Sequence, residues 1–204
     1  MKKMILLSVF ALGALTINAQ TAVIESGGFW DNWSMGIQGG ATMKTSGAAF
    51  FKSARPAFGL TIGKQWTPIL GTDIQGMGYV NTTNSSTIID ATDVSLIGRM
   101  NLMNLFGAYD GMPNAFEIET VTGLGWLHHY STGDGDTNDL SARVGLNFNF
   151  NFGNDAAWTF GIKPAMVFNL TGDFPTRKLG FNKKHSNVEI LLGLTYHFAD
   201  ADGN

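Results

Sequence analysis

From Leu140 to Phe152 the chain reads LSARVGLNFNFNF. Leu140, Ala142, Val144, Leu146, Phe148, Phe150 and Phe152 fall on one side of an extended backbone. Ser141, Arg143, Gly145, Asn147, Asn149 and Asn151 fall on the other. A strand turns successive side chains to opposite faces, so a period of two over thirteen residues predicts a two-faced β-strand and excludes an amphipathic helix.

The same alternation recurs along the chain and predicts eight strands. They run over Trp33–Met43, Pro56–Trp66, Ile69–Val80, Asp93–Leu105, Phe116–Tyr130, Leu140–Phe152, Trp158–Leu170 and Asn187–Phe198. Ile97 breaks the pattern in the fourth, and Pro164 sits inside the seventh, where a bulge would relieve the lost ladder hydrogen bond. Long polar connections are expected over 44–55, 81–92, 131–139 and 171–186. Shorter ones are expected at Thr67-Pro68, at GAYDGMPNA and at Gly153-Asn154-Asp155. Strands of this length cross a tilted bilayer, and long connections alternating with short ones suit exposed loops on one side and turns on the other.

The polar side of the strands is rich in Gly, Asn, Ser and Thr and carries a few charges of both signs. That suits a narrow, hydrogen-bonded interior better than a surface in bulk water. The expected inward set is Asp73, Glu117, Glu119 and Glu189 with Arg99, Arg143 and Lys163, close to charge balance. Ion pairs are expected among them, chiefly across the fourth to eighth strands, because an unpaired charge in a narrow lumen is costly. Aromatic residues gather at the end where the short turns lie: Trp33, Trp66, Phe116, Phe150, Phe152, Trp158, Tyr196 and Phe198. An interfacial girdle has this distribution, and a sandwich core does not. In hydrocarbon an open sheet edge leaves backbone groups unsatisfied, so the eighth strand must pair with the first. The expected fold is all-β, a transmembrane eight-stranded antiparallel up-and-down barrel.

Composition sharpens this picture. Charged residues are 14% of the chain, well under the roughly 25% of an ordinary soluble domain. The start, MKKMILLSVFALGALTINAQ, has a basic opening, an apolar stretch too short to span a bilayer and a small residue at Ala19. It reads as a signal peptide over 1–19, followed by a lead-in over 20–32, the barrel over 33–198 and a tail over 199–204. There is no cysteine, which excludes disulfides, a lipid-modified cysteine and thiolate chemistry. A net charge of −3 gives no reason to expect nucleic acid.

Gly193-Leu194-Thr195-Tyr196-His197-Phe198 resembles the C-terminal β-signal read by the barrel-assembly machinery of the Gram-negative envelope. Leu191 stands where that signal has a polar residue, and six residues follow Phe198. Together with ARPAFGLTIGKQWTP and MNLMNLF, this segment resembles the OmpA-like eight-stranded outer-membrane barrels, over most of residues 30–198. The resemblance implies a barrel domain in the cell outer membrane, without the peptidoglycan-binding domain that often follows such barrels. Outer-membrane lipid and lipopolysaccharide are the implied surroundings. A surface ligand for the loops is not readable.

Candidate chemistry is thin. His129-Tyr130-Ser131 resembles the His-x-Ser pair of outer-membrane lipid A deacylases, in which a histidine activates a serine facing the lipid. The acid that should orient the imidazole falls near Arg143, which cannot do so, so His128, His129 and Tyr130 are read as residues of the outer interface, with a catalytic His129–Ser131 pair as the alternative. Asp134, Asp136, Asn138 and Asp139 begin like a calcium loop. Asp139 and Gly145 stand where such a loop needs glycine and glutamate, so the reading is a solvated loop. Neither a cofactor nor a metal is expected. The expected role is a non-enzymatic barrel serving envelope integrity or surface interaction, with a lipid-modifying enzyme and a narrow, porin-like ion path as the alternatives.

Overall fold

In the computed structural model the alternating segments form β1 (Trp33–Lys44), β2 (Arg55–Gln65), β3 (Leu70–Val80) and β4 (Ile89–Asn101), then the helical turn α1 (Leu102–Phe106). β5 (Phe116–His129), β6 (Thr137–Phe152), β7 (Trp158–Thr171) and β8 (Leu179–His197) follow. The structure describes Phe29 and residues 31–45, 53–81, 88–107, 109, 112–130, 135–153, 156–171 and 179–198, with backbone alone for 181–185. The expected signal peptide, most of the lead-in, Ser131, Asp134 and the tail lie outside the described residues.

Each strand pairs antiparallel with the next, and the sheet closes as a barrel in the order β1 to β8. The closing seam joins Ser34–Lys44 of β1 to Asn187–His197 of β8, so neither strand leaves an unpaired edge. At about 3.3 Å per residue and a tilt near 45°, eleven residues cover roughly the 25 Å apolar band of an outer-membrane barrel. The shortest strands, β2 and β3, have eleven.

The two faces of the sheet are inverted relative to a protein folded in water. Leu60 (62% exposed), Leu96 (64%) and Ile37 (61%) look outward, while Glu189 and Asp93 (both 0%) and Arg143 (4%) are buried inside. The interior is not uniformly polar, however. Ala57, Met77, Tyr79, Ala91, Leu127 and Leu191 form an apolar cluster within it, and Ile97, the residue that broke the alternation, is buried there as well. An eight-stranded interior is just wide enough to be filled by side chains, apolar as well as polar.

Several expected boundaries are corrected. The fourth strand ends at Asn101 rather than Leu105, and the chain turns into α1 where β3, its partner on one side, runs out. Asn101 Oδ1 caps the turn by accepting from Asn104 N at 3.1 Å, and Asn104 Nδ2 donates to Pro68 O at 2.8 Å. Pro164 causes no bulge. Its ladder with β8 runs through Pro164–Ile190 without a shift. On the other side, Gly145–Ala165 and Phe148–Ile162 pair in one register, with the pairs between them missing. The loss of one N–H is absorbed as a local gap. The register shifts of this hairpin lie further along, between Val167 and Thr171. On the long-loop side, β4, β6 and β8 begin at Ile89, Thr137 and Leu179, inside the stretches expected as loops. Beyond the bilayer a strand needs no apolar face, so alternation does not mark these extensions.

Candidate functional site

Among the described residues, two ionic clusters stand out in the lumen, one in each half of the barrel. In the short-turn half, Arg99 on β4 lies opposite Gly71 of β3 and Val121 of β5. Its Nε donates to Asp73 Oδ1 at 2.9 Å and its Nη1 to Glu119 Oε1 at 2.9 Å. The other Glu119 oxygen accepts from Asn147 Nδ2 (3.2 Å) and Asn149 Nδ2 (2.9 Å) of β6. Glycine makes room for this arrangement. A Cβ on Gly71 would sit 2.8 Å from Arg99 Nη2, and one on Gly63 would collide with the Asp73 carboxylate. The guanidinium thus bridges flanking strands with charge-assisted bonds on two sides.

In the long-loop half, Arg143 of β6 forms an ion pair through Nη1 with Glu189 Oε2 of β8. Tyr79 of β3 donates its hydroxyl to Glu189 Oε1 at 2.7 Å. Arg143 Nε and Nη2 are buried without a hydrogen-bond partner among the described residues. Beside this group, Asp93 accepts from the hydroxyls of Ser95 and Ser141. That trio packs over Gly125, where a Cβ would collide with Ser95 Oγ.

Between the clusters lies a cavity of about 20 Å³ lined by Gln38, Gln75, Arg143, Asn147 and Lys163 among others. A water needs some 10–15 Å³ and two to four polar partners, so the space suits about one. Gln38 Oε1, Gln75 Oε1 and those two Arg143 nitrogens are candidate partners.

The seven inward charges expected from sequence are thus distributed unequally. Asp73, Arg99 and Glu119 form one cluster, and Arg143 and Glu189 belong to another. Glu117 stands at the short-turn rim, bonded by Asn151 Nδ2 at 3.1 Å, and Lys163 has no ion pair among the described residues. One of the ion pairs reaches β3, outside the range of strands expected to carry them. Sequence reasoning missed Asp93 and Tyr79. Both continue the inward rows of Ser95 and Gln75, so the row was a usable signal, but the partner depends on register across the closed sheet.

The eight expected girdle residues sit at the short-turn rim. Phe116 packs on Phe150 (ring centroids 5.1 Å apart), Trp158 on Tyr196 (4.9 Å) and Tyr196 on Phe198 (5.4 Å). Phe152 is exposed, and Trp66 Nε1 donates to Thr72 Oγ1 at 2.8 Å. Trp33, half-buried, lies opposite Lys64 in the β1–β2 ladder.

At the long-loop rim, Trp126, His128 and Tyr130 contact in sequence, the first pair tilted and the second edge-to-face, with centroids 5.5 and 4.7 Å apart, and Asn138 Oδ1 meets both Trp126 Nε1 and His128 Nδ1. His128 Nε2 lies 3.5 Å from Asp136 Oδ2 and His129 Nε2 lies 3.6 Å from Asp139 Oδ2. His129 therefore has a carboxylate within reach, supplied across the hairpin by Asp139 rather than by a residue near Arg143. That carboxylate is shared, since Asn169 Nδ2 also donates to it at 2.8 Å. His129 alternates with outward-facing His128 and falls on the inward row of Val121 and Leu127.

No protein-family model matches the chain, and none of the curated proteins matches it. Among solved structures, Neisserial surface protein A is similar, with a TM-score of 0.57 at 11% identity over 82% of this chain and 98% of that one. The N-terminal β-barrel domain of Pseudomonas aeruginosa OprF is similar too, with a TM-score of 0.54 at 12% identity over 82% of this chain and 98% of that one. Both likenesses are likenesses of fold: a closed, eight-stranded, up-and-down β-barrel.

Proposed function

We propose that this protein is a barrel resident in the outer membrane, acting in envelope integrity or in surface interactions through its long-loop side, without catalysis. One observation carries the reading: a closed sheet whose outward rows are apolar and whose inward rows hold the buried charges. An exterior of that kind is untenable in water and ordinary in lipid. The aromatic ring at the short-turn rim fits one membrane interface, and the Trp126–His128–Tyr130 group fits the other. Lipid and lipopolysaccharide would be its contacts on the outward rows. Gly193 to Phe198 would present the insertion signal to the assembly machinery, Leu191 being withdrawn into the lumen.

A lipid-modifying site at His129 lacks comparable support, because that residue lies on the lumen row while acyl chains lie outside. A standing ion path lacks it as well, since the space between the two clusters holds about one water.

The test has two stages. Membrane fractionation followed by electrophoresis with and without boiling should place the protein in the outer membrane with a heat-dependent mobility shift. A soluble protein with one mobility overturns the reading. Replacing residues 131–136 by a short Gly-Ser linker should then leave the shift intact and alter surface attachment or detergent sensitivity of cells. Lipid A released with altered acylation from overexpressing cells would replace this role by an enzymatic one.

A further inference from the structure

The outward row of β2 runs Phe58, Leu60, Ile62, Lys64 and then Trp66, so a lysine occurs where acyl chains would be met. Yet Lys64 is only 6% exposed. Its Nζ donates to Phe29 O at 2.8 Å and to Asp31 O at 2.7 Å. The rings of Phe29, Trp33 and Trp66 surround the same atom, with centroids at 5.6, 5.4 and 5.3 Å. The chain returns over the lysine because Asn32 adopts a φ of 60°, a left-handed conformation that asparagine tolerates better than most residues. The returning segment is tied down at further points. Trp33 Nε1 donates to Phe29 O at 2.8 Å, and Gln65 N donates to Asn32 O at 3.0 Å.

We infer that Lys64 is the pin of a strap: its ammonium, caged among the described residues by three aromatic rings and two carbonyls, holds Phe29, Asp31 and Asn32 against the β1–β2 corner and so fixes the start of the seam strand. The charge is what the cage recognises. Aromatic faces attract a cation, and carbonyl oxygens accept from an ammonium but not from a methyl group. The arrangement also explains how a lysine is tolerated on the lipid side at the rim. A lysine near an interface ordinarily extends its head toward water, whereas here the chain brings the acceptors to it. β1 gains most from this, because it pairs with β8 on its other side and its first residue, Trp33, accepts from Phe198 N at 2.9 Å.

Chymotrypsin cleavage after Phe29, followed by mass spectrometry on the folded barrel in detergent, reads the strap directly. The parent protein is expected to resist. Lys64→Met and Lys64→Ala should be cut at least about tenfold faster while keeping the heat-dependent mobility shift, and Lys64→Arg should stay near the parent rate. Added ethylammonium at high millimolar concentration should slow the cleavage of Lys64→Ala, which a purely space-filling lysine does not predict. Should Lys64→Ala not fold, Trp66→Leu keeps the charge and removes one wall, and a several-fold faster cut is expected. Equal rates for the parent and Lys64→Met, absence of rescue by ethylammonium, or an unchanged rate in Trp66→Leu would each overturn the assignment.

Discussion

Arg99 bridges two carboxylates on the strands flanking its own, and one of those acids has two asparagine donors besides. Arg143 meets one carboxylate, past β7 on β8, and keeps two donors unmatched among the described residues at the edge of the small cavity. Lys163 lines the same cavity with no ion pair among the described residues. The difference is one of reach. A guanidinium with acids on both neighbouring strands is satisfied on two edges, whereas one that must cross a strand satisfies a single edge. Removing a cation costs most where the acids left behind are most numerous and least able to find other donors.

This ordering can be broken by measurement. Arg99→Met leaves Asp73 and Glu119 uncompensated in the lumen, and about 3–5 kcal/mol of stability should be lost in urea unfolding from lipid vesicles. A smaller loss for Arg99 than for Arg143 would reverse the comparison. Arg143→Met leaves Glu189 alone, still bonded by Tyr79, so a loss of about 2–4 kcal/mol is expected, and adding Glu189→Gln should recover much of it. Gly125→Val drives a side chain into Ser95 and Ser141 over Asp93 and should cost about 1–3 kcal/mol. Lys163→Met removes a charge that makes no ion pair among the described residues and should change stability by less than about 1 kcal/mol, in either direction. Single-channel recording sharpens the same contrast: neutralising Arg143 and Lys163 together should leave planar-bilayer conductance at background, and discrete openings would show that these two cations are what blocks the lumen.

Alternation made the strands legible because lipid and lumen impose opposite demands on successive residues, and that constraint holds along the whole span of the bilayer. It lapses outside the bilayer, which is why the first turns of β8 read as loop. Leu102 to Leu105 read as strand because MNLMNLF satisfies a period of two as easily as a short helical turn, and only the Asn101 cap decides. Alternation puts Asp73, Arg99 and Glu119 on inward rows, but their union depends on how far each strand slides past its neighbour, which no single strand encodes. Ile97, Met77 and Leu127 show the converse limit. Period two assigns a side to a residue but does not say what fills that side. Lys64 was invisible for a related reason, since its acceptors are backbone carbonyls that carry no sequence signature.

The closing seam has a practical corollary. Trp33 and Phe198 are hydrogen-bonded neighbours, so the polypeptide nearly forms a ring before any linker is added. Joining them with a few flexible residues and opening the chain at another hairpin should yield a circularly permuted barrel with the same wall. Because both natural ends of that wall lie on one rim, a reporter fused to either of them samples the same compartment.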